Sequence, residues 1–157
     1  MSFNLSVISN KNIVLAVTGG IAAYKSAILV RRLKDAGFNV RVVMTQGAQA
    51  FITPLTFQAL SGNPVHTELL NPEAEAGMGH IELARWADLL LVAPASCDSL
   101  AKFAGGLADD LLSTLYLATK APVWVAPAMN QQMWAAKATQ RNLNTLIEDG
   151  VHVIMPD

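Results

Sequence analysis

An apolar run, Val123 to Ala126, leads straight into Pro127-Ala128-Met129-Asn130-Gln131-Gln132-Met133, where Asn130 is the residue with chemistry to offer. Its carboxamide donates from NH2 and accepts at C=O, so it can hold a polar ligand without adding charge. The tetrapeptide Val-Ala-Pro-Ala also closes an earlier apolar run, at Val92-Ala93-Pro94-Ala95, with Ser96 following. Proline has no N–H to give to a sheet ladder, so each copy is expected to end strand pairing. Ligands of open parallel sheets sit beyond the carboxyl ends of the strands. Two similar strand ends therefore predict one pocket with two similar lips.

A second candidate is the glycine turn Thr18-Gly19-Gly20-Ile21-Ala22-Ala23-Tyr24-Lys25 ahead of a helical pattern. Free N–H groups and the dipole at such a helix start suit a phosphate or other anion. The same glycines would also serve a tight packing turn. The spacing is not G-x-G-x-x-G, and Lys25-Ser26 lacks the glycine that precedes a P-loop lysine. The next apolar run ends in Met44-Thr45, not in the acidic residue that holds a nicotinamide ribose. A dinucleotide is disfavoured and a mononucleotide stays open.

Ser96-Cys97-Asp98-Ser99 offers hydroxyls and a carboxylate to a phosphate or ribityl chain; Ser96 or Asp98 would equally serve as a plain helix cap. Cys97 has no evident electropositive partner and is not read as a nucleophile. His80, after Gly77-Met78-Gly79, is either a base working near neutral pH or a structural residue. His66 and His152 show no ligand spacing, so no metal is expected. Neither a Ser-His-Asp order nor a G-x-S-x-G elbow occurs.

The elements that position these residues alternate. Strands are expected at Asn12–Val17, Asn39–Met44, Val65–Thr67, Leu89–Ala93, Val123–Ala126 and Val151–Ile154. Helices are expected at Ile21–Ala36, Gln46–Phe51, Pro54–Leu60, His80–Ala87, Asp98–Phe103, Asp109–Thr119 and Thr139–Asp149. Ile21, Ile28, Leu29 and Leu33 are the expected apolar face of the first helix, with Gly37 beyond its end. Thr53 should cap the third helix, with Pro54 at its first position. Strands that are continuous apolar runs belong to a parallel sheet covered on both faces. The fold class is α/β, a three-layer α/β/α Rossmann-like sandwich of about six strands, in one domain over 1–157 with an arm at 1–11.

Of the 157 residues 52% are apolar and 15% charged, more core-forming material than one small domain needs, which predicts subunit contacts. A net charge of −1 without charge runs excludes an electrostatic footprint for nucleic acid or anionic membrane. Cys97 is the only cysteine, which fits the cytoplasm. No apolar run reaches the roughly 18 residues of a membrane span.

Together these residues resemble the flavin-containing cysteine decarboxylases, in particular those acting on phosphopantothenoylcysteine. The resemblance rests on Gly19 to Lys25, Gly79-His80-Ile81-Glu82-Leu83, Trp86-Ala87-Asp88, Pro94-Ala95-Ser96 and Pro127-Ala128-Met129-Asn130, and spans roughly Ile13 to Asp157. It implies FMN bound between subunits of a trimer, with trimers often assembled into dodecamers. By position, Gly20, Ile21, Ala22, Thr45, Gln46, Gly47, Ser96, Cys97, Asp98, Ser99 and Ala128 would contact FMN. His80 would be the catalytic histidine, and Asn130 would hold the substrate carboxylate.

The implied reaction converts 4′-phosphopantothenoylcysteine to 4′-phosphopantetheine in coenzyme A biosynthesis. Flavin oxidation of the cysteine CH2–SH to a thioaldehyde gives the departing carboxylate's electrons somewhere to go. Peptidyl-cysteine decarboxylation and a non-catalytic regulatory flavoprotein are the alternatives. Two departures stand out. The family's Ser-Ala-Asn-Thr segment is here Ser96-Cys97-Asp98-Ser99, and no cysteine of a substrate flap follows the last strand before Asp157. A partial chain is therefore expected, without that flap and without a linked phosphopantothenate–cysteine ligase domain.

Overall fold

The computed structural model describes residues 11–69 and 78–156, so the arm expected at 1–11 lies almost wholly outside them. Strands β1 (Asn12–Val17), β2 (Asn39–Met44), β3 (Leu89–Ala95), β4 (Val123–Pro127) and β5 (His152–Val153) form one sheet, ordered β2-β1-β3-β4-β5. Every neighbouring pair is parallel. The helices are α1 (Ala23–Asp35), α2 (Pro54–Ser61), α3 (His80–Trp86), α4 (Cys97–Gly105), α5 (Leu111–Ala118), α6 (Gln131–Ala135) and α7 (Lys137–Glu148). A 3₁₀ turn occupies Gly47–Ala50.

Successive strand residues face opposite sides of the sheet, and two cores result. Ile13, Leu15 and Val17 pack with Leu89 and Leu91 against Ala23, Val30 and Leu33 of α1 and Phe57 of α2. Val14, Ala16, Leu90, Val92 and Val125 pack against Leu83 of α3, Leu100 and Phe103 of α4, Leu115 of α5 and Leu143 of α7. The three-layer α/β/α sandwich forms as expected.

Details differ from the sequence reading. The segment at Val65–Thr67 does not become a sixth strand; it touches β2 through a single parallel bridge, Val43 to His66. Pro64 just before it has no N–H to extend a ladder. Helix α1 starts at Ala23 and buries Ala23, Ser26, Val30 and Leu33. Ile21 and Ile28, expected in the core, are 81% and 50% exposed. The buried set, three or four residues apart, follows helical periodicity using small residues rather than the bulkiest ones. Gly37 takes φ 96° just past the helix, as its position suggested.

The two prolines behave differently: β3 runs one residue past Pro94, whereas Pro127 is the last residue of β4. Ala95 pairs with Pro127 across a register shift that begins after Val92. The Ala128 N–H donates to the Ala95 carbonyl at 3.1 Å. A proline loses only its donor; its carbonyl can still accept. Helix α6 was not anticipated either: five residues are too few for a periodic pattern to show.

Candidate functional site

Strand order reverses between β1 and β3, so a crevice opens there at the carboxyl ends of the strands, where open α/β sheets bind ligands. Thr18, fully buried just after β1, stitches the two strand ends together. Its hydroxyl donates to the Pro94 carbonyl at 2.6 Å and accepts from the Ser96 N–H at 2.8 Å. Its own N–H reaches the same Pro94 carbonyl at 3.2 Å.

Gly19 follows, and a Cβ there would meet the Gly47 backbone carbon at 3.2 Å. The turns after β1 and β2 can approach this closely only with glycine at that place. Gly20 is under no such constraint, for a Cβ there would meet nothing within 4 Å. After β2, the Thr45 N–H donates to the Val17 carbonyl at 3.1 Å, and the Thr45 hydroxyl accepts from the Ala48 N–H at 3.3 Å.

Ser96 caps α4. Its Oγ accepts from the Ser99 N–H at 3.1 Å and donates to Ser99 Oγ at 3.0 Å. This settles the capping question in favour of Ser96 over Asp98. Further along the wall, Asp110 caps α5 in a reciprocal box with Ser113, and Ser113 donates its backbone N–H to Asp110 Oδ1 at 2.8 Å. Burial alone would raise the Asp110 pKa. Hydrogen bonds from Ser113, and then the charge and hydrogen bond of Lys102, outweigh burial and hold it below the ordinary carboxylate value.

These elements enclose a cleft of about 880 Å³. Of the residues expected at a cofactor, Thr45, Gln46, Gly47, Ser96, Asp98 and Ser99 line it. A smaller cleft of about 270 Å³ lies between α1 and the two Val-Ala-Pro-Ala ends, and it takes in Ala22, Pro94, Pro127 and Ala128. The two-lipped pocket thus exists, beside the larger one. Gly20, Ile21, Cys97, His80 and Asn130 line neither cleft. The Cys97 sulfur turns to Thr139 Oγ1 of α7, 3.5 Å away. His80 is the first residue of α3 and half-buried.

Asn130 is exposed and caps α6, with Oδ1 accepting from the Met133 N–H at 2.9 Å. Its acceptor is therefore engaged, and only the NH2 remains to meet a ligand. The sequence reading missed Lys102, Asp109 and Asp110 in the larger cleft. The pattern Asp110-x-x-Ser113 was the available signal for that helix start.

The chain matches the family described as Flavoprotein over residues 3–157. It is 59% identical over 150 residues to the coenzyme A biosynthesis bifunctional protein CoaBC of Escherichia coli K12, covering 96% of this chain and 37% of that protein. The chain thus spans little more than a third of the curated relatives it matches. The crystal structure of the FMN-dependent cysteine decarboxylase SpaF superposes with a TM-score of 0.88 at 34% identity, covering 96% of this chain and 86% of that one. A cysteine-to-serine mutant of PPC decarboxylase complexed with pantothenoylaminoethenethiol superposes with a TM-score of 0.77 at 35% identity, covering 94% and 82%. With the switch-point cleft in place and the match running through nearly every described element, the chain belongs to the flavoprotein family.

Proposed function

We propose that this chain is an FMN-dependent decarboxylase domain that converts 4′-phosphopantothenoylcysteine to 4′-phosphopantetheine in coenzyme A biosynthesis. The observation that carries the reading is the large cleft at the β1–β3 switch point of a flavoprotein-family chain. Its residues fit the cofactor. About 880 Å³ is ample for a ligand of that size. The start of the nine-residue α4 borders the cleft with Ser96 and Ser99, and a helix N-terminus suits a phosphate. The Gly19–Gly47 approach keeps side chains out of the way of a ligand meeting the backbone.

The cofactor's contribution, when bound, is two-electron oxidation of the cysteinyl CH2–SH carbon. The remaining tasks fall to side chains. Asn130 orients the substrate carboxylate through Nδ2, its amide plane fixed by the bond from the Met133 N–H. An uncharged amide holds a group that must leave without the ion pair that would stabilise it in place. His80 serves as the base.

Neither residue lines the larger cleft within one chain, which supports a site completed between subunits. Ile21, Tyr24 and Ile28 supply a surface for that assembly: they share one face of the α1 region and are 81%, 58% and 50% exposed. We read the assembly as a trimer, with dodecamers as the larger form. The ligase domain that supplies the substrate would be joined to this one, as the bifunctional E. coli relative suggests. The cytoplasm is the compartment this reading expects; among the described residues no helix is long and apolar enough to cross a membrane.

The likeness to the cysteine decarboxylase SpaF favours a second substrate class, which we take to be a peptide with a C-terminal cysteine. Competition between that peptide and 4′-phosphopantothenoylcysteine separates the two. The expected result is a yellow protein whose His80→Asn and Asn130→Asp variants keep the flavin spectrum and lose carbon dioxide release. Normal turnover by both variants sinks the assigned roles. A light-scattering mass of 16.8 kDa, that of one chain, sinks the assembly.

A further inference from the structure

Among the described residues lining the larger cleft Lys102 is the only cation, beside the carboxylates of Glu68, Asp98, Asp109 and Asp110. Four carboxylates and one ammonium leave that wall formally at −3. A phosphomonoester brings about −1.5 to −2 more near neutral pH. Such a cleft should repel the ligand it is proposed to hold, unless the carboxylates are pinned around that ammonium rather than left free to face the anion.

The geometry does this with one side chain. Lys102 Nζ lies 3.6 Å from Asp98 Oδ2, 3.4 Å from Asp109 Oδ1 and 3.4 Å from Asp110 Oδ2. The ammonium is the covered hub, 21% exposed, and Asp98 and Asp109 are its open spokes at 77% and 59%. The three partners come from separate places: the first turn of α4, the turn between α4 and α5, and the cap of α5. All the close charged contacts of Lys102 run to these aspartates, so it acts on a ligand through them.

We propose that Lys102 is a positioning residue for the flavin phosphate, gathering Asp98, Asp109 and Asp110 onto one ammonium so that the cleft wall tolerates an anion. The inference rests on the FMN reading above. It concerns the phosphate alone and not the ring, and this makes it separable from a general structural role. An exposed ion pair alone would contribute little. Three carboxylates sharing one covered cation beside a phosphate site form a network whose loss strands all three.

The test is a fluorescence titration of the flavin-stripped protein with FMN and, separately, with riboflavin. Lys102→Met should weaken FMN at least tenfold, about 1.4 kcal/mol, and riboflavin less than about threefold. Lys102→Arg should restore most of the difference. Asp98→Asn/Asp109→Asn, which leaves Lys102 in place, should tighten FMN a few-fold without moving riboflavin, and it keeps the test sharp should the methionine variant fold poorly. Unchanged FMN affinity in Lys102→Met, or equal losses for FMN and riboflavin, would overturn the role of Lys102. A wild-type protein that binds neither flavin would instead overturn the cofactor reading itself.

Discussion

Pro94 and Pro127 lie at the ends of adjacent strands β3 and β4, each inside the tetrapeptide Val-Ala-Pro-Ala, and the chain leaves them in two different ways. After Ala95 comes Ser96 at once. Its N–H goes to the Thr18 hydroxyl, its own hydroxyl to Ser99, and the nine-residue α4 behind it sinks Leu100 and Phe103 into the core. After Ala128 one extra residue, Met129, intervenes before the cap Asn130, and the five-residue α6 that follows has no fully buried residue, only Trp134 resting partly on the core. Ser96 has both its polar groups satisfied inside the molecule. Asn130 has its acceptor satisfied and its donors left over. One inserted residue thus turns an anchored helix start into a presented amide. The first end is suited to holding a ligand that stays, and the second to meeting one that comes and goes.

The largest effect should come from altering the presented end. Asparagine and aspartate are about equally good helix caps, so Asn130→Asp keeps the bond from the Met133 N–H and hence α6. On the proposed role of Asn130, it replaces a donor to the substrate carboxylate with a like charge. We expect kcat/KM for carbon dioxide release to fall at least about a hundredfold, roughly 2.7 kcal/mol, with flavin content and melting temperature unchanged. A variant that loses its flavin or melts early would show that this end holds the fold together as the other one does.

Altering the anchored end should do the reverse. Thr18→Val keeps the shape and deletes the hydroxyl, leaving the Ser96 N–H without its 2.8 Å partner at a buried site. The expected loss is about 1–3 kcal/mol of stability. For a chain of this length each kcal/mol lowers the melting temperature by about 2–4 °C. Flavin affinity should fall with it, because Ser96 sets where α4 begins. Full stability in this variant would break the contrast between the two ends. Ser96→Ala is milder, about 1 kcal/mol for one lost cap, and, if the proposed phosphate position holds, should weaken FMN more than riboflavin.

How much of this was readable beforehand depends on distance along the chain. Strand and helix alternation, the Thr53 cap and the glycine after α1 are local patterns, and the sequence showed them. Thr45 and Ser96 directly follow strands, whose ends the parallel sheet brings to one edge, and Gly47 and Ser99, which the family resemblance named, line the same cleft. Cys97 and Asp98 were taken together with their neighbours, yet residues one apart on a helix point in different directions. Asp98 therefore faces the cleft, whereas Cys97 turns toward Thr139.

Lys102 could not be seen in this way. Its spacing of four from Asp98 was visible, but Asp109 and Asp110 return to it only because the chain reverses at Gly106, where φ is 70°. Of the expected core face of α1, Leu33 is buried and Leu29 packs against the core, whereas Ile21 and Ile28 turn outward and Ala23 and Ser26 are buried instead. Hydrophobicity alone assigns those isoleucines to the core. Only a partner surface would make that assignment true.

The smallest expected effects are in pH dependence, and they again contrast two regions. His66, at its bridge to β2, is 4% exposed, and its Nε2 has no hydrogen-bond partner. Burial, and then the charge of Arg41, push its pKa below the ordinary 6.5. Below 6.5 the unfolded chain takes up a proton that the folded one refuses, so stability is full above that pH and declines as pH falls toward the lowered value. Asp110 is also lowered, from 3.8, so the stability it contributes is full above that value and is lost only as pH falls further. Melting curves recorded downward from neutral pH should therefore show two separate declines. His66→Leu should flatten the one beginning near 6.5 and Asp110→Asn the acid one, since asparagine preserves the cap on α5. A wild-type slope retained by His66→Leu between neutrality and about pH 5 would mean that another group titrates there, and that the β2 edge tolerates a charged imidazole.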